Sequence, residues 1–184
     1  MSRVTAADPA APCSSLPPLT LVLGGTRSGK SAYAEGLLTG HDGRIYIATG
    51  QAGDAEMTER IRRHRDRRGD AWTTVEEPLD LAGALRRTDG RPVLVDCLTL
   101  WLTNLLFSDA DIDDAIGHLT ETLPSLAGPV VFVSNEIGLG VVPDNALSRR
   151  FRDDAGRLNQ AVAACCQKVV FVAAGLPLPL KDCR

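Results

Sequence analysis

The fold of this chain is decided by an apolar run and the eight residues that follow it, Leu19 to Leu23 and then Gly24-Gly25-Thr26-Arg27-Ser28-Gly29-Lys30-Ser31. The eight residues match the phosphate-binding pattern G-x-x-x-x-G-K-[ST], and a preceding strand is the context that this pattern requires. A strand that ends in a glycine-rich turn and opens a helix directs several backbone N–H groups into one concavity. The stretch therefore predicts a polyphosphate site, with Lys30 reaching the β- and γ-phosphates and the Ser31 hydroxyl on Mg²⁺.

Length and composition limit the other possibilities. With 184 residues, 44% of them hydrophobic, the chain fits one globular domain with a full core. The net charge of −3 gives no overall attraction to nucleic acid or anionic membranes, and no run is long and apolar enough to cross a bilayer. The five cysteines lack metal-ligand spacing, which indicates reduced thiols in a cytoplasmic protein. Residues 1–18 are rich in Ala, Pro and Ser and predict a flexible tail before a single domain over residues 19–184.

Further apolar segments predict an α/β fold with a mostly parallel sheet flanked by helices. We expect strands at 44–48, 71–75, 92–96, 129–134 and 168–174, and helices at 31–38, 54–68, 78–87, 112–123 and 145–167. The apolar segment 98–107 is expected to pack into the core or to form a subunit contact.

Polar residues follow several of these strands. Loops at the carboxyl ends of strands face the ligand in open α/β sheets. Thr49 is therefore a candidate nucleotide contact, although an ordinary polar loop explains it equally well. Asp96 ends a buried strand, as in the second metal-binding motif of P-loop proteins, so it is the expected Mg²⁺ partner; the alternative is a helix cap. Asn135 and Glu136 reach the same edge, and the segment 137–143 after them is placed to cover a ligand.

An arginine-rich stretch surrounds one histidine. At 3.6 residues per turn, Arg60, His64 and Arg68 share one face of the helix predicted from Asp54. Three interpretations stay open, namely a solvated helix, a patch that binds nucleic acid, and a histidine nucleophile. The third has a physical basis, because neighbouring guanidinium groups disfavour imidazolium and leave the imidazole lone pair available.

Several of these stretches are specific in combination. They are residues 24–31, Tyr46-Ile47-Ala48-Thr49, the segment around His64, Trp72 to Pro78, residues 96–106, Ser134-Asn135-Glu136-Ile137-Gly138 with residues 139–145, and Arg149 to Gln160. Together they resemble the bifunctional adenosylcobinamide kinase / adenosylcobinamide-phosphate guanylyltransferase family of cobalamin biosynthesis. The resemblance spans about Leu19 to Lys181.

The resemblance implies a P-loop, RecA-like α/β fold and two reactions at overlapping sites. One phosphorylates the aminopropanol hydroxyl of adenosylcobinamide from ATP or GTP. The other transfers GMP from GTP to that phosphate through a GMP-histidine intermediate, giving adenosylcobinamide-GDP. His64 matches the guanylylated histidine, and Arg63 stands where some members have a second histidine. The implied GTP site comprises the phosphate loop with Ala48, Thr49, Gly50, Arg65, Asp66, Arg67, Arg68, Glu76 and Asp96, and the family is commonly a homotrimer.

Two other functions stay open from the residues alone. One is a monofunctional small-molecule P-loop kinase in which His64 is structural. The other is a nucleotide-dependent module that grips nucleic acid with the arginine-rich helix. Net acidity, and the lack of aromatic residues interleaved with those arginines, disfavour the nucleic-acid module.

Overall fold

The computed structural model describes residues 16–51 and 71–182. Its elements follow the chain as β1 Leu19–Gly24, α1 Lys30–Leu37, β2 Arg44–Ala48, β3 Trp72–Glu76, α2 Leu81–Arg86, β4 Val93–Asp96, α3 Leu98–Phe107, α4 Ile112–Thr122, β5 Val130–Asn135, α5 Ala146–Cys165, β6 Lys168–Ala173 and β7 Leu176–Lys181. A short 3₁₀ helix, Leu123–Ser125, follows α4. The predicted helix over 54–68 and most of the predicted tail lie outside the described residues.

The described strands form one sheet in the order β3-β2-β4-β5-β1-β6-β7. The strands β1 to β6 are parallel to one another, and β7 runs antiparallel to β6. The central strands are continuous apolar runs because both of their faces are covered; every residue of β1 is buried. The mostly parallel α/β sheet expected from the sequence is confirmed.

The helices within the described residues lie on both faces of this sheet. On one face, α2 to α5 pack against a cluster in which Leu21 of β1 joins Leu102 and Leu158. On the other face, α1 packs against a second cluster in which Val22 of β1 joins Ala34. The chain therefore leaves β1 toward one face and leaves β4 and β5 toward the other. Because β1 and β5 are neighbours, the connections change faces between these two strands.

The apolar helix α3 belongs to the core. Leu98, Trp101 and Leu102 are buried, whereas Phe107 at the C-terminal end of the helix is 73% exposed. The segment is thus a core element, the first of the two roles that the sequence left open. None of the helices within residues 16–51 and 71–182 is long and apolar enough to cross a membrane.

Two details of the predicted elements were wrong. The helix α2 begins at Leu81 rather than Pro78, because the Asp80 carboxylate caps it by accepting a 2.8 Å hydrogen bond from the Gly83 N–H. The strand β6 was expected to be the last, but β7 follows it. Pro177 and Pro179 concealed β7 because proline disfavours strands, and the structure accommodates both at the sheet edge, where one side needs no partner.

Candidate active site

The carboxyl ends of five neighbouring parallel strands meet along one edge of the sheet. In the strand register, Ala48 lies beside both Glu76 and Asp96, and Gly24 lies beside Asn135. These residues come from separate parts of the sequence and are aligned by the parallel pairing alone. The fold therefore assembles the predicted strand-end residues on the edge where open α/β sheets bind ligands.

The phosphate loop, residues 24–31, connects β1 with α1 through a tight backbone path. Gly29 precedes α1 with a φ of 96°, a conformation that favours glycine. A Cβ atom on Gly24 would lie 2.5 Å from the Val172 carbonyl oxygen and 2.6 Å from Ser28 Oγ. Both glycines are thus required by the geometry of the loop.

The polar side chains of the phosphate loop differ in exposure. Lys30 is buried, and its Nζ donates a 3.0 Å hydrogen bond to the Gly25 carbonyl oxygen. Thr26 and Arg27 are exposed, and Ser31 is half-buried in the first turn of α1. The lysine ammonium therefore lies against the loop whose N–H groups would bind phosphate oxygens.

A hairpin turn that the sequence did not predict supports the phosphate loop. The turn between β6 and β7 contains Ala174 and Gly175, both with positive φ. The Gly175 N–H donates a 2.8 Å hydrogen bond to the Ser28 carbonyl oxygen. A Cβ atom on Gly29 would lie 3.1 Å from Gly175 Cα. The hairpin turn thus holds one side of the phosphate loop. The sequence did not predict this contact because it did not predict the strand β7.

Asp96 is held by a neighbouring strand. The Tyr46 hydroxyl donates a 3.0 Å hydrogen bond to Asp96 Oδ2, and the Tyr46 ring is buried. A hydroxyl from Ser31 and a carboxylate from Asp96 are the hard oxygen ligands that Mg²⁺ prefers. The residues present fit the predicted cation, which would reach the site with nucleotide phosphates completing its shell.

Thr49 has a structural role that the sequence did not show. It is fully buried, and its hydroxyl accepts from the Cys97 N–H at 2.8 Å and donates to the Cys97 carbonyl at 2.7 Å. Asn104 Nδ2 donates to the Thr49 carbonyl at 2.7 Å. The Asp96–Cys97 peptide bond is cis. Burial, and then the nearby Asp96 carboxylate, raise the pKa of the Cys97 thiol to about 12, so this thiol is protonated near neutral pH.

The carboxyl ends of β1 and β5 lie side by side. The Glu136 N–H donates a 3.1 Å hydrogen bond to the Gly24 carbonyl. Side chains from two helices hold the preceding residue, because Asn135 donates its N–H to Thr99 Oγ1 at 2.8 Å and accepts from Asn159 Nδ2 at 3.2 Å. Connections leave these two neighbouring strands toward opposite faces, which is the topological switch point where α/β sheets bind ligands.

The other predicted site residues divide into two groups. Gly50 is half-buried and Glu76 is exposed, both near the carboxyl edge. The remaining candidates lie outside the described residues, and they are His64, Arg65, Asp66, Arg67 and Arg68. Their participation in the site stays a prediction.

A comparison of the sequence with protein families finds a match over most of the chain. Residues 20–180 match the family described as cobinamide kinase / cobinamide phosphate guanyltransferase. The chain belongs to this family. The phosphate loop, Asp96 and the carboxyl ends of β1 and β5 all lie within the matched residues.

Individual members of the cobinamide kinase / cobinamide phosphate guanyltransferase family are similar along their full length. The chain is 55% identical over 166 residues to the bifunctional adenosylcobalamin biosynthesis protein CobP of Pseudomonas aeruginosa, covering 88% of this chain and 96% of that protein. It is 38% identical over 180 residues to CobU of Salmonella typhimurium and 40% identical over 181 residues to CobU of Escherichia coli, each covering 89% of this chain and 99% of the relative.

Solved structures support the fold at low sequence identity. An ATPase from a bacterial type III secretion system superposes with a TM-score of 0.56 and 12% identity, covering 89% of this chain and 57% of that one. The RadB recombinase superposes with a TM-score of 0.50 and 17% identity, covering 85% and 75%. These likenesses show the P-loop NTPase fold, as predicted.

Proposed function

We propose that this chain phosphorylates the hydroxyl group of cobinamide and then transfers GMP from GTP to the resulting phosphate, as a step of adenosylcobalamin biosynthesis. The observation that carries the proposal is family membership over residues 20–180 together with a complete phosphate loop on the same edge of the sheet as Asp96. Both reactions need one polyphosphate site, and the carboxyl edge of the sheet supplies the parts of such a site.

In the kinase reaction, the alcohol oxygen of cobinamide attacks the γ-phosphorus of ATP or GTP, the bond to the β–γ bridging oxygen breaks, the nucleoside diphosphate leaves, and the alcohol proton passes to solvent. Backbone N–H groups of residues 24–31 hold the phosphates, and Lys30 neutralises charge on the β- and γ-oxygens. Ser31 and Asp96 would hold Mg²⁺, which supplies further neutralisation of phosphate charge when bound. Positioning and charge neutralisation carry most of phosphoryl transfer, so this step needs no strong base.

In the transferase reaction, we assign the nucleophile to His64. A neutral imidazole nitrogen attacks the α-phosphorus of GTP, and pyrophosphate leaves with the electron pair of the broken P–O bond. A phosphate oxygen of cobinamide phosphate then attacks the GMP phosphorus, which breaks the N–P bond and restores the imidazole. Arg65, Arg67 and Arg68 would neutralise the departing pyrophosphate. The sequence match and this charge pattern support the assignment.

Labelling with nucleotide tests both halves. With GTP labelled at the α-phosphorus, we expect an acid-labile, alkali-stable protein adduct that His64→Ala abolishes. His118→Ala is the matched control, because His118 is exposed on α4 and we expect its variant to label normally. With ATP labelled at the γ-phosphorus, His64→Ala should still phosphorylate cobinamide. A wild-type protein that forms no adduct yet phosphorylates cobinamide would instead be a monofunctional kinase.

For the assembly we propose the homotrimer that the resemblance implies. The strand β7 leaves Leu176, Leu178 and Leu180 at least half exposed, and exposed apolar surface of this kind commonly marks contacts between proteins. Sedimentation velocity of the wild-type protein tests the proposal, and a monomer at micromolar concentration would refute it.

A further inference from the structure

The loop that follows β5 presents large apolar side chains to solvent. Leu139 is 81% exposed, Val141 94% and Val142 61%. Isolated exposed apolar residues are ordinary, but a group within four consecutive positions is the kind of surface that marks a binding site. We call residues 137–145 the 137–145 loop.

Hydrogen bonds secure this loop at both of its ends. At its start, the Glu136 carboxylate accepts from the Gly138 N–H at 2.5 Å. At its end, Arg149 Nη1 donates to the carbonyl oxygens of Pro143 at 3.0 Å and Asp144 at 2.6 Å. The exposed apolar residues therefore lie between two hydrogen-bonded ends of the loop.

The position of the 137–145 loop relates it to the phosphate loop. The Glu136 N–H bonds to the Gly24 carbonyl at 3.1 Å, so the two loops start side by side at the ends of β1 and β5. One loop leads to α1 on one face of the sheet, and the other leads to α5 on the opposite face. They are the two walls of the switch-point crevice. Leu139 is three residues from Glu136, so their Cα atoms are at most about 11 Å apart.

The substrate must place two unlike parts against these walls. A nucleotide brings concentrated negative charge, which the N–H groups and Lys30 of the phosphate loop match. Cobinamide brings a bulky corrin macrocycle whose rim carries methyl groups as well as amide side chains, and one alcohol arm that must reach the γ-phosphorus. The macrocycle must therefore lie within one arm length of the phosphates, and the 137–145 loop is an apolar surface that starts beside the phosphate loop.

We propose that the 137–145 loop binds the corrin macrocycle of cobinamide, with Leu139, Val141 and Val142 against the methyl groups of its rim, and so directs the alcohol arm across the crevice to the nucleotide. The proposal rests on the proposed function. It assigns the phosphate loop to the donor and the 137–145 loop to the acceptor, so the two affinities are separable by substitution.

Equilibrium dialysis of cobinamide, followed by its visible absorbance, tests this assignment. The variant is the double substitution Leu139→Ser and Val141→Ser, and Val142→Ser is a second, independent variant. Removing two apolar side chains from a contact should weaken cobinamide binding about tenfold or more, while the Kd for GTP changes less than about twofold. Phe107→Ser is the matched control, because Phe107 is 73% exposed at the far end of α3, and it should bind both ligands normally. A thermal melt verifies that each variant is folded.

Each alternative result of the binding experiment leads to a different conclusion. Unchanged cobinamide affinity in both loop variants would overturn the proposal. Unchanged affinity accompanied by a smaller sedimentation coefficient would overturn it in favour of a contact between copies of the chain. A wild-type protein that binds GTP but no cobinamide would overturn the proposed function together with this assignment, whereas wild-type binding that the variants retain would overturn the assignment alone.

Discussion

Replacing Thr49 by valine tests whether this residue holds the carboxyl edge together. Valine has nearly the same shape as threonine, so the change removes the hydroxyl while keeping the packing. In the structure that hydroxyl is fully buried and bonds to both the N–H and the carbonyl of Cys97, at 2.8 and 2.7 Å. The substitution affects the Cys97 N–H and the Cys97 carbonyl differently. The Cys97 carbonyl also accepts from the Trp101 N–H at 3.1 Å, so it keeps a partner, whereas the buried Cys97 N–H loses its hydroxyl acceptor.

The expected cost follows from these partners. An unsatisfied buried donor costs about 1 to 3 kcal/mol, and the loss of one of two bonds at the carbonyl adds about 0.5 to 1 kcal/mol. We therefore expect Thr49→Val to lower the free energy of unfolding by about 1.5 to 4 kcal/mol. With a urea dependence of about 2 kcal/mol/M, typical of a small protein, the unfolding midpoint would fall by about 0.8 to 2 M.

Urea unfolding followed by circular dichroism measures this change, and two other variants make the result specific. Thr49→Ser keeps the hydroxyl and should recover most of the loss, apart from about 0.8 kcal/mol for the missing methyl group. Thr73→Val, at an exposed position of β3, should leave the midpoint nearly unchanged. A Thr49→Val protein as stable as wild type, but with a raised Kd for GTP, would refute the structural role and restore the direct nucleotide contact that the sequence allowed.

Two further predictions concern Asp96 and the buried thiols. Tyr46→Phe removes the donor to Asp96 Oδ2, and loss of such a supporting hydrogen bond should weaken Mg²⁺-dependent GTP binding about tenfold. Calorimetric titration with GTP at several Mg²⁺ concentrations measures this effect, with Tyr33→Phe as the control. An unchanged Mg²⁺ dependence of GTP binding would contradict the prediction. Burial raises the pKa of both Cys97 and Cys166 from 9.0 to about 12, so the thiols ionise earlier in the unfolded chain and stability should fall as pH rises from about 9 toward 12. Urea midpoints at pH 8, 9 and 10 measure the decline, which the double Cys→Ala variant should reduce; an equal decline in that variant would rule the thiols out.

The elements that the sequence predicted well are those whose signal is local. The run Leu19 to Leu23 and the glycine pattern after it identify a strand, a turn and a helix within about 20 consecutive residues. The strand ending at Asp96 was recognisable because a strand buried on both faces must be apolar throughout, so its first acidic residue marks its end. Parallel pairing then requires these ends to share one edge of the sheet.

The parts that the sequence did not predict depend on distant partners. The Thr49 hydroxyl bonds to Cys97, 48 residues away, and the Tyr46 hydroxyl bonds to Asp96, 50 residues away. No spacing rule connects residues so far apart in the sequence. The sequence was therefore consistent with Thr49 as either an ordinary loop residue or a nucleotide contact. The strand β7 was concealed for another reason. Its prolines disfavour a strand when judged from the local sequence. At the edge of the sheet they are tolerated, because one side of an edge strand needs no hydrogen-bond partner.

The position of Thr49 connects the two proposed reactions. Its hydroxyl is fixed to Cys97, and its N–H donates to the Asp96 carbonyl at 3.4 Å. Thr49 is also close in sequence to the connection that carries His64. That connection therefore starts from a point bonded to the backbone of Asp96, the proposed Mg²⁺ ligand, so we expect loss of the Thr49 hydroxyl to impair attack at both the γ- and the α-phosphorus. Substitutions in the 137–145 loop should instead impair only steps that require cobinamide and spare the formation of the GMP adduct. A Thr49→Val protein that loses one activity and keeps the other would show that the two reactions do not share this support.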